Sequence, residues 1–172
     1  MKAEAELSND KVIVFDQANA SRIHSKGYLG NLINAKLELN FLETIYLIRK
    51  EKIDVFFKKK LLNEKDIIKK ALKLDKNFNT KYVVFEKLKK QGFVIKTALK
   101  YGFDFRIYEK GVKPGQEHAI WLVNCYGEHE SFSWKDFSKI MRISHSVRKK
   151  AMIAVVDDES DVTFWESEWK KI

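Results

Sequence analysis

Apolar and polar residues alternate over short stretches at the start of the chain. Ser8, Asn9 and Asp10 form a turn sequence between two such stretches, AEAEL and KVIVF, so this region predicts a β-hairpin. After it, the segment from Ser21 to Tyr28 predicts a short helix that closes at Gly27, and AKLEL predicts another strand.

Two helix starts follow, each marked by an asparagine. Asn40 is an N-cap with Glu43 at the third helical position, and Asn63 repeats this device before EKDIIKKALKLD. The expected buried residues of the first helix are Leu42, Ile45, Tyr46, Leu47 and Ile48, and those of the second are Ile67, Ile68 and Leu72. These elements predict a small N-terminal α/β domain.

The pattern in the second half of the chain predicts a helix, three strands, a second helix and two further strands. The predicted elements are a helix from Thr80 to Gln91 ended by Gly92, strands FVIKTA, FDFRIYEK and HAIWLVNC, a helix from Trp134 to Ser146, and strands AMIAVVD and DVTFWESEW. In the first helix Tyr82, Val83, Phe85 and Leu88 are expected to face inward. The nearly continuous apolar run of HAIWLVNC is typical of a central strand. A polar gap near residues 76–79 predicts two domains, 1–77 and 78–172, in a mixed α+β (α/β) fold.

Net charge, cysteine content and the lack of long apolar runs limit the kinds of protein that this chain can be. The chain of 172 residues has a formal net charge of +9, which favours binding to phosphate backbones, although a lysine-rich solvated surface explains the same charge. Cys125 is the single cysteine, so an intrachain disulfide is excluded. The sequence shows no leader and no apolar run of about 18–20 residues, so we expect a soluble, cytoplasmic protein with no membrane contact.

Three segments between residues 101 and 150 each carry one group suited to acid–base chemistry or charge stabilisation. YGFDFRIYEKG contains Tyr108, EHAIWLV contains His118 and SHSVRKKA contains Lys149. None has metal-ligand spacing, and no nucleotide-binding loop accompanies them. Such a set suffices for RNA cleavage, because the RNA supplies its own nucleophile, the 2′-hydroxyl.

These segments resemble the archaeal-type tRNA-splicing endonuclease family. The likeness rests on FDFRIYEKG, on a histidine ten residues after its tyrosine, and on R-x-x-x-x-V-R-K-K before an apolar strand. A further segment, LELNFLETIYLIRKEKI, is similar to the N-terminal domain of that family. The resemblance implies a C-terminal catalytic α/β domain with a mixed β-sheet. It also implies a tRNA-intron lyase that cleaves precursor tRNA at bulge-helix-bulge junctions without metal or cofactor, leaving 2′,3′-cyclic phosphate and 5′-hydroxyl ends.

The resemblance also distributes the catalytic roles. His118 is expected to be the general acid, since an imidazole exchanges protons near neutral pH. Tyr108 is expected to be the general base, although a phenol is rarely ionised at neutral pH and needs a nearby cation for this role. Lys149 is the expected cation. The family pattern selects it over Lys150, and because adjacent residues point apart, Lys150 is expected to lie in solvent.

Other positions are assigned to RNA binding and assembly by the same resemblance. Arg142, two helical turns before Lys149, is expected to stack on a splayed base and so help to clamp it. Phe164 or Trp165 is expected to be the second side chain of this clamp. The acidic residues Asp157, Asp158, Glu159 and Asp161 are expected to dock in a basic pocket of another subunit. The final strand is expected to pair subunits into dimers, within a tetramer of identical chains or with a second, different subunit. A Ca²⁺ or Mg²⁺ loop and a solvated turn are the alternatives for the acidic segment.

Two other functions stay open at this point. A structural, non-catalytic subunit of the same enzyme would share the fold but lack the three catalytic residues, all of which are present. A basic RNA-binding module or a metal-dependent nuclease is the other alternative. A metal-dependent nuclease would need an acidic pair followed by E-x-K, but after Asp104 and Glu109 the place of that lysine is Gly111. Zinc is not expected, because Cys125 has no CxxC partner and His129 and His145 lack ligand spacing to it.

Overall fold

The structure is a computed structural model that describes residues 2–170. It is a mixed α+β protein with two β-sheets, which confirms the predicted fold class. Contacts within the chain group it into two compact units, Met1–Asn79 and Thr80–Ile172. The division falls inside one helix, two residues after the boundary that the sequence predicts.

The first unit contains a six-stranded sheet and three helices. Its elements are β1 (Ala3–Ser8), β2 (Lys11–Val14), α1 (Gln17–Ser25), β3 (Asn31–Ile33), β4 (Lys36–Leu39), α2 (Phe41–Arg49), β5 (Ile53–Phe57), β6 (Lys60–Leu62) and α3 (Glu64–Leu74). The strand order is β3-β4-β2-β1-β5-β6, and β1 pairs antiparallel with β2 and parallel with β5. The predicted hairpin around Asn9 is therefore confirmed.

Helix caps explain where these helices begin. Asn40 with Glu43 and Asn63 with Asp66 form reciprocal capping boxes, as predicted. The prediction for α1 was wrong by four residues at its start, because Asp16 accepts a hydrogen bond from the Asn19 N–H and caps the helix earlier.

Gly30 provides a sharp test of packing in this unit. It has a φ of +64°, and an added Cβ would lie 2.5 Å from the carbonyl oxygen of Glu38. We expect Gly30→Ala to destabilise the protein by about 1–3 kcal/mol more than Gly102→Ala, measured by urea unfolding. Gly102 is the matched control, since its φ is +74° but nothing lies within 4 Å of its added Cβ. Equal losses would show that backbone strain alone, not the close approach, matters at Gly30.

The second unit contains a five-stranded mixed sheet. Its elements are α4 (Phe78–Lys90, which begins two residues before the unit), β7 (Val94–Ala98), a 3₁₀ turn (Leu99–Tyr101), β8 (Phe103–Tyr108), β9 (Trp121–Gly127), α5 (Trp134–Ser146), β10 (Lys150–Val156) and β11 (Val162–Ser167). The order is β11-β10-β9-β8-β7; β9 and β10 run parallel, whereas the other three pairs of neighbouring strands in this order run antiparallel. The predicted central position of β9 is confirmed.

Side chains on both surfaces of the second unit's sheet are buried. Leu122 and Ala151 pack under α5, against Ile140 and Met141, in a cluster that also contains Ala98 and Phe103. On α4 the prediction was wrong in one residue: Val84, not Val83, is fully buried, because Val84 lies one turn before the buried Leu88.

Strand β9 begins later than predicted. Residues 118–120 precede it in a loop, and the strand starts at Trp121.

Along the described part of the chain, none of the helices has the length and apolar character needed to cross a bilayer.

Candidate active site

Three chain segments meet at one end of the second unit's sheet. Because β8 is antiparallel to β9 and β9 is parallel to β10, the last residue of β8 lies at the same end as the first residues of β9 and β10. Tyr108 ends β8, His118 lies three residues before β9, and Lys149 immediately precedes β10. The segment between them is fixed on both sides, since Ile120 donates its N–H to Ile107 and accepts one from Lys150, both at 2.9 Å.

The end of α5 determines where Lys149 lies. Arg148 has a φ of +53°, and the N–H groups of Arg148 and Lys149 bond to the carbonyls of His145 and Ser144 at 3.0 and 2.9 Å. This is a Schellman motif with arginine where glycine is usual, a conformation that costs about 1–2 kcal/mol for a residue with a Cβ. The turn ends the helix at Ser146 and starts β10 at Lys150, so Lys149 is not on the same helix as Arg142, contrary to the prediction.

An open cavity of about 680 Å³ lies at this end of the sheet. Its lining residues are His118, Ala119, Ile120, Ser144, His145, Arg148, Lys149, Lys150, Ser167, Glu168 and Trp169. The cavity therefore contains two of the three predicted catalytic residues. His118 is exposed, and the half-buried Lys149 donates one hydrogen bond from Nζ to the carbonyl of Ala119 at 3.0 Å. An ammonium has three donors, so two others can meet a bound phosphate.

Lys150 was expected to lie in solvent, and 44% of its side chain is exposed, which agrees with that expectation. It lines the cavity as well, and its Nζ forms an ion pair with Glu166 at 2.7 Å. Trp121 Nε1 donates to the same carboxylate at 2.6 Å. The hydrogen bond to Glu166 raises the pKa of Lys150, and the hydrogen bonds from Lys150 and then Trp121 lower the pKa of Glu166. The charge of Lys150 is thus neutralised locally, whereas the only hydrogen bond of Lys149 Nζ within residues 2–170 goes to a neutral carbonyl.

Tyr108 differs from the other two predicted catalytic residues. Its side chain is only 4% exposed and is not among those that line the cavity in the described chain. The Arg106 guanidinium lies 5.9 Å from its ring centre. Tyr108 thus lies at the same end of the sheet as His118 and Lys149. Its ring is buried, whereas the side chains of His118 and Lys149 line the open cavity.

The three residues predicted to bind RNA also lie outside this cavity. Arg142 is exposed on α5, Phe164 pairs with Ala154 across β10 and β11, and Trp165 pairs with Ile153. Trp165 is 61% exposed and lines a separate apolar groove beside α5. Their clamping role stays a prediction.

Sequence reasoning did not find two aromatic residues at the cavity. His145, on the last turn of α5, was set aside for lacking metal-ligand spacing, and Trp169 was placed at the end of the final strand. In the structure β11 ends at Ser167, and the rings of His145 and Trp169 lie 4.8 Å apart at 56°. No periodicity in the sequence marks this pair.

The predicted acidic interface segment forms the turn between β10 and β11. The Asp157 carboxylate organises the turn, accepting bonds from the N–H groups of Glu159 at 3.0 Å and Asp161 at 2.7 Å. Asp158 is exposed and bonds to His129 Nε2 at 3.1 Å, which raises the pKa of His129.

Asp158 also forms, with two residues that follow β9, a cluster of residue types that can bind metal ions, and the spacing in the sequence did not reveal it. Ligand atoms of Glu128, His129 and Asp158 lie within 4.8 Å of one another, and all three residues are exposed. They are already engaged with each other, because Asp158 contributes its carboxylate to His129 and its N–H to Glu128.

Both halves of the chain match models of one family of known proteins. Residues 78–164 match the family model of the tRNA intron endonuclease catalytic C-terminal domain, and residues 3–68 match that of the N-terminal domain. A tRNA-splicing endonuclease of Thermococcus kodakarensis is 36% identical over 165 residues, which cover 96% of both chains. Proteins of the same name from Methanothermobacter thermautotrophicus and Pyrococcus furiosus are 31% identical over 169 residues (98% of both chains) and 35% identical over 166 residues (96% of this chain and 95% of the relative). The chain therefore belongs to the tRNA intron endonuclease family.

Proposed function

We propose that this protein is an RNA endonuclease that removes introns from precursor tRNA. The observation that carries the proposal is the shared position of His118 and Lys149 in one open cavity. A proton donor and an unneutralised cation in the same cavity are what phosphodiester cleavage by a neighbouring hydroxyl requires. The net charge of +9 favours RNA as the ligand.

The proposed reaction transfers two protons and exchanges one bond for another at phosphorus. The 2′-oxygen attacks the phosphorus and gives its proton to the base, proposed to be Tyr108. The bond from phosphorus to the 5′-oxygen breaks, and His118 donates a proton to that oxygen. Lys149 stabilises the negative charge that builds on the phosphoryl oxygens. The products are a 2′,3′-cyclic phosphate and a 5′-hydroxyl, and each role has a side chain of this protein, so no metal step is required.

Burial of Tyr108 places one condition on this scheme. Because its side chain is 4% exposed, RNA must reach the hydroxyl from the end of the sheet, where β8 finishes beside residues 118–120. The base role of Tyr108 therefore requires the 2′-hydroxyl to approach at that end of the sheet, whereas His118 is exposed in the open cavity.

The proposal extends to substrate shape and assembly. Two cuts at a bulge-helix-bulge motif need two active sites at a fixed separation, which a dimer or tetramer supplies, built from this chain alone or with a second subunit. The exposed edge strand β11 and the acidic residues Asp158, Glu159 and Asp161 are the proposed contact surfaces. The acidic residues would repel RNA, so a basic partner surface suits them better. The proposed site of action is the cytoplasm.

The test is cleavage of an intron-containing precursor tRNA by the purified chain in excess EDTA. We expect two cuts, 5′-hydroxyl ends that accept phosphate from a kinase, and cyclic phosphate ends opened by acid. Cleavage that needs a divalent cation, or products with 5′-phosphates, would contradict the proposed mechanism. The mass of the active species in solution, measured on the same sample, distinguishes a self-assembled enzyme from one that needs another subunit.

A further inference from the structure

We propose that Arg106 is the positive charge that allows the buried Tyr108 to act as the base, and that Arg106 is a positioning residue that acts through the Tyr108 ring. This inference rests on the proposed function, since it names the group behind one of the two proton transfers. The sequence led us to expect Lys149 as the cation near Tyr108. In the structure Lys149 lines the open cavity, and Tyr108 is not among the described residues that do so.

The first support is the position of Arg106 relative to the ring. Arg106 and Tyr108 lie two residues apart on β8, so their side chains leave the same face of the sheet. The guanidinium carbon of Arg106 lies 5.9 Å from the centre of the Tyr108 ring, a distance at which a cation and an aromatic ring attract each other. Because arginine stays protonated in proteins, Tyr108 has a permanent positive charge beside it.

The second support is that Arg106 has no anion of its own. Its Nε is buried without a hydrogen-bond partner, and within residues 2–170 its guanidinium forms no ion pair. A buried polar group in this condition costs stability, and such groups call for an explanation that is often catalytic. A phenolate at Tyr108 would supply the missing negative charge.

The groups around the pair do not compete for this role. Across the sheet, Val94 lies opposite Tyr108, whereas Lys96 and Leu122 lie opposite Arg106, and none of these three is an acid. The buried residues of α5, the helix over this face, are also uncharged. Glu109 is exposed just after β8. The nearest neighbours in the sheet therefore leave Arg106 available to Tyr108.

A cation next to the ring changes what the phenol can do in the reaction. The phenol of Tyr108 first gives its proton to solvent, and Arg106 balances the negative charge that remains. The phenolate oxygen then takes the proton of the 2′-hydroxyl while the 2′-oxygen bonds to phosphorus, and a neutral phenol results. Arg106 keeps its own protons throughout. It therefore determines how much base is present without exchanging a proton with the substrate.

The first experiment measures whether Arg106 acts through Tyr108. We expect Arg106→Gln to lose about 10- to 100-fold in single-turnover rate at neutral pH, a part of the roughly 10²- to 10⁴-fold that a positioned base contributes. In a Tyr108→Phe protein the same substitution should change the rate by less than about threefold, because the group that it acts on is gone. Arg106→Lys keeps the charge and should recover most of the rate. Lys110→Met is the matched control, since it also removes a positive charge and a cation–ring contact, that of Nζ with Phe93 at 5.4 Å.

The second experiment follows the phenolate itself and needs no cleavage. The NMR signal of the ring carbon Cζ moves when a phenol ionises, and the signal of Tyr108 is identified by its absence from Tyr108→Phe. At about pH 10, where a free tyrosine side chain is half ionised, we expect more phenolate at Tyr108 in the wild type and in Arg106→Lys than in Arg106→Gln.

Several results would overturn the inference. Equal losses from Arg106→Gln in the wild-type and Tyr108→Phe proteins would show that Arg106 acts elsewhere, on the RNA itself, and would leave the endonuclease function intact. Equal amounts of phenolate in the wild type and in Arg106→Gln would remove the charge pairing. A loss that lysine does not recover and that comes with a lowered unfolding midpoint would show a merely structural role. If the wild type fails to cleave but its phenolate still depends on Arg106, the proposed function fails, and the base role with it, while the pairing of the two side chains stands.

Discussion

The His118→Ala variant is expected to lose about 10²- to 10⁴-fold in cleavage rate while its affinity for precursor tRNA changes little. An exposed imidazole in the cavity can donate a proton to the departing 5′-oxygen, and alanine cannot. Single-turnover rates measure the chemical step, and binding at fixed salt concentration measures affinity. His129→Ala is the matched control, because that histidine is exposed in the same unit but lies outside the cavity.

A sulfur-substituted substrate tests the specific role of His118. When the bridging 5′-oxygen is replaced by sulfur, the leaving group departs as a thiolate and needs no proton. His118→Ala should therefore cleave this substrate almost as fast as the wild type does. Tyr108→Phe should not be rescued, because its missing function is proton removal from the 2′-hydroxyl. Undiminished cleavage of the normal substrate by His118→Ala, or no rescue by sulfur, would remove His118 as the acid.

Local signals in the sequence were sufficient to predict most of the elements. Helix α5 has the predicted bounds, Trp134 to Ser146, and the N-caps at Asn40 and Asn63 begin their helices as expected. These features depend on residues three or four positions apart, so the sequence contains all the relevant information.

Elements whose turns have unusual residues at positive φ were not predicted. Strands β5 and β6 were not predicted, because their connection uses Lys58 and Lys59 at φ values of +49° and +67° instead of the usual Gly or Asn. The same reason explains why Lys149 was wrongly placed on one helical segment with Arg142, because Arg148 takes the position after α5 that glycine usually occupies.

The residues of the candidate site also fall into those that the sequence predicted and those that it did not. Segment order and spacing led to His118 and Lys149, which the structure brings to one cavity, although their catalytic roles stay predictions. The pairing of His145 with Trp169 and that of Lys150 with Glu166 depend on sheet register and on where β11 ends. No spacing rule in a single sequence reports on those contacts, because they join residues brought together only by the fold.

Adjacent lysines at the start of β10 allow the second large effect to be tested with an internal control. We expect Lys149→Met to lower kcat by about 10²- to 10³-fold with little change in KM, because the ammonium acts mainly on charge that appears in the transition state. Lys150→Met should lose less than about 10-fold, since Glu166 already neutralises Lys150 at 2.7 Å. Both variants remove one positive charge, so their general loss of attraction for RNA is the same.

Lys149→Gln then separates charge from position. The Nζ of Lys149 donates to the Ala119 carbonyl at 3.0 Å, and through this bond it also holds the segment that carries His118. Glutamine keeps a donor for that carbonyl but has no charge. If Lys149 acts by charge, Lys149→Gln is as slow as Lys149→Met; if it acts only by holding residues 118–120, glutamine restores most of the rate. Equal losses in Lys149→Met and Lys150→Met would instead contradict the assignment of the catalytic cation to Lys149, because the ion pair with Glu166 would then make no difference to the reaction.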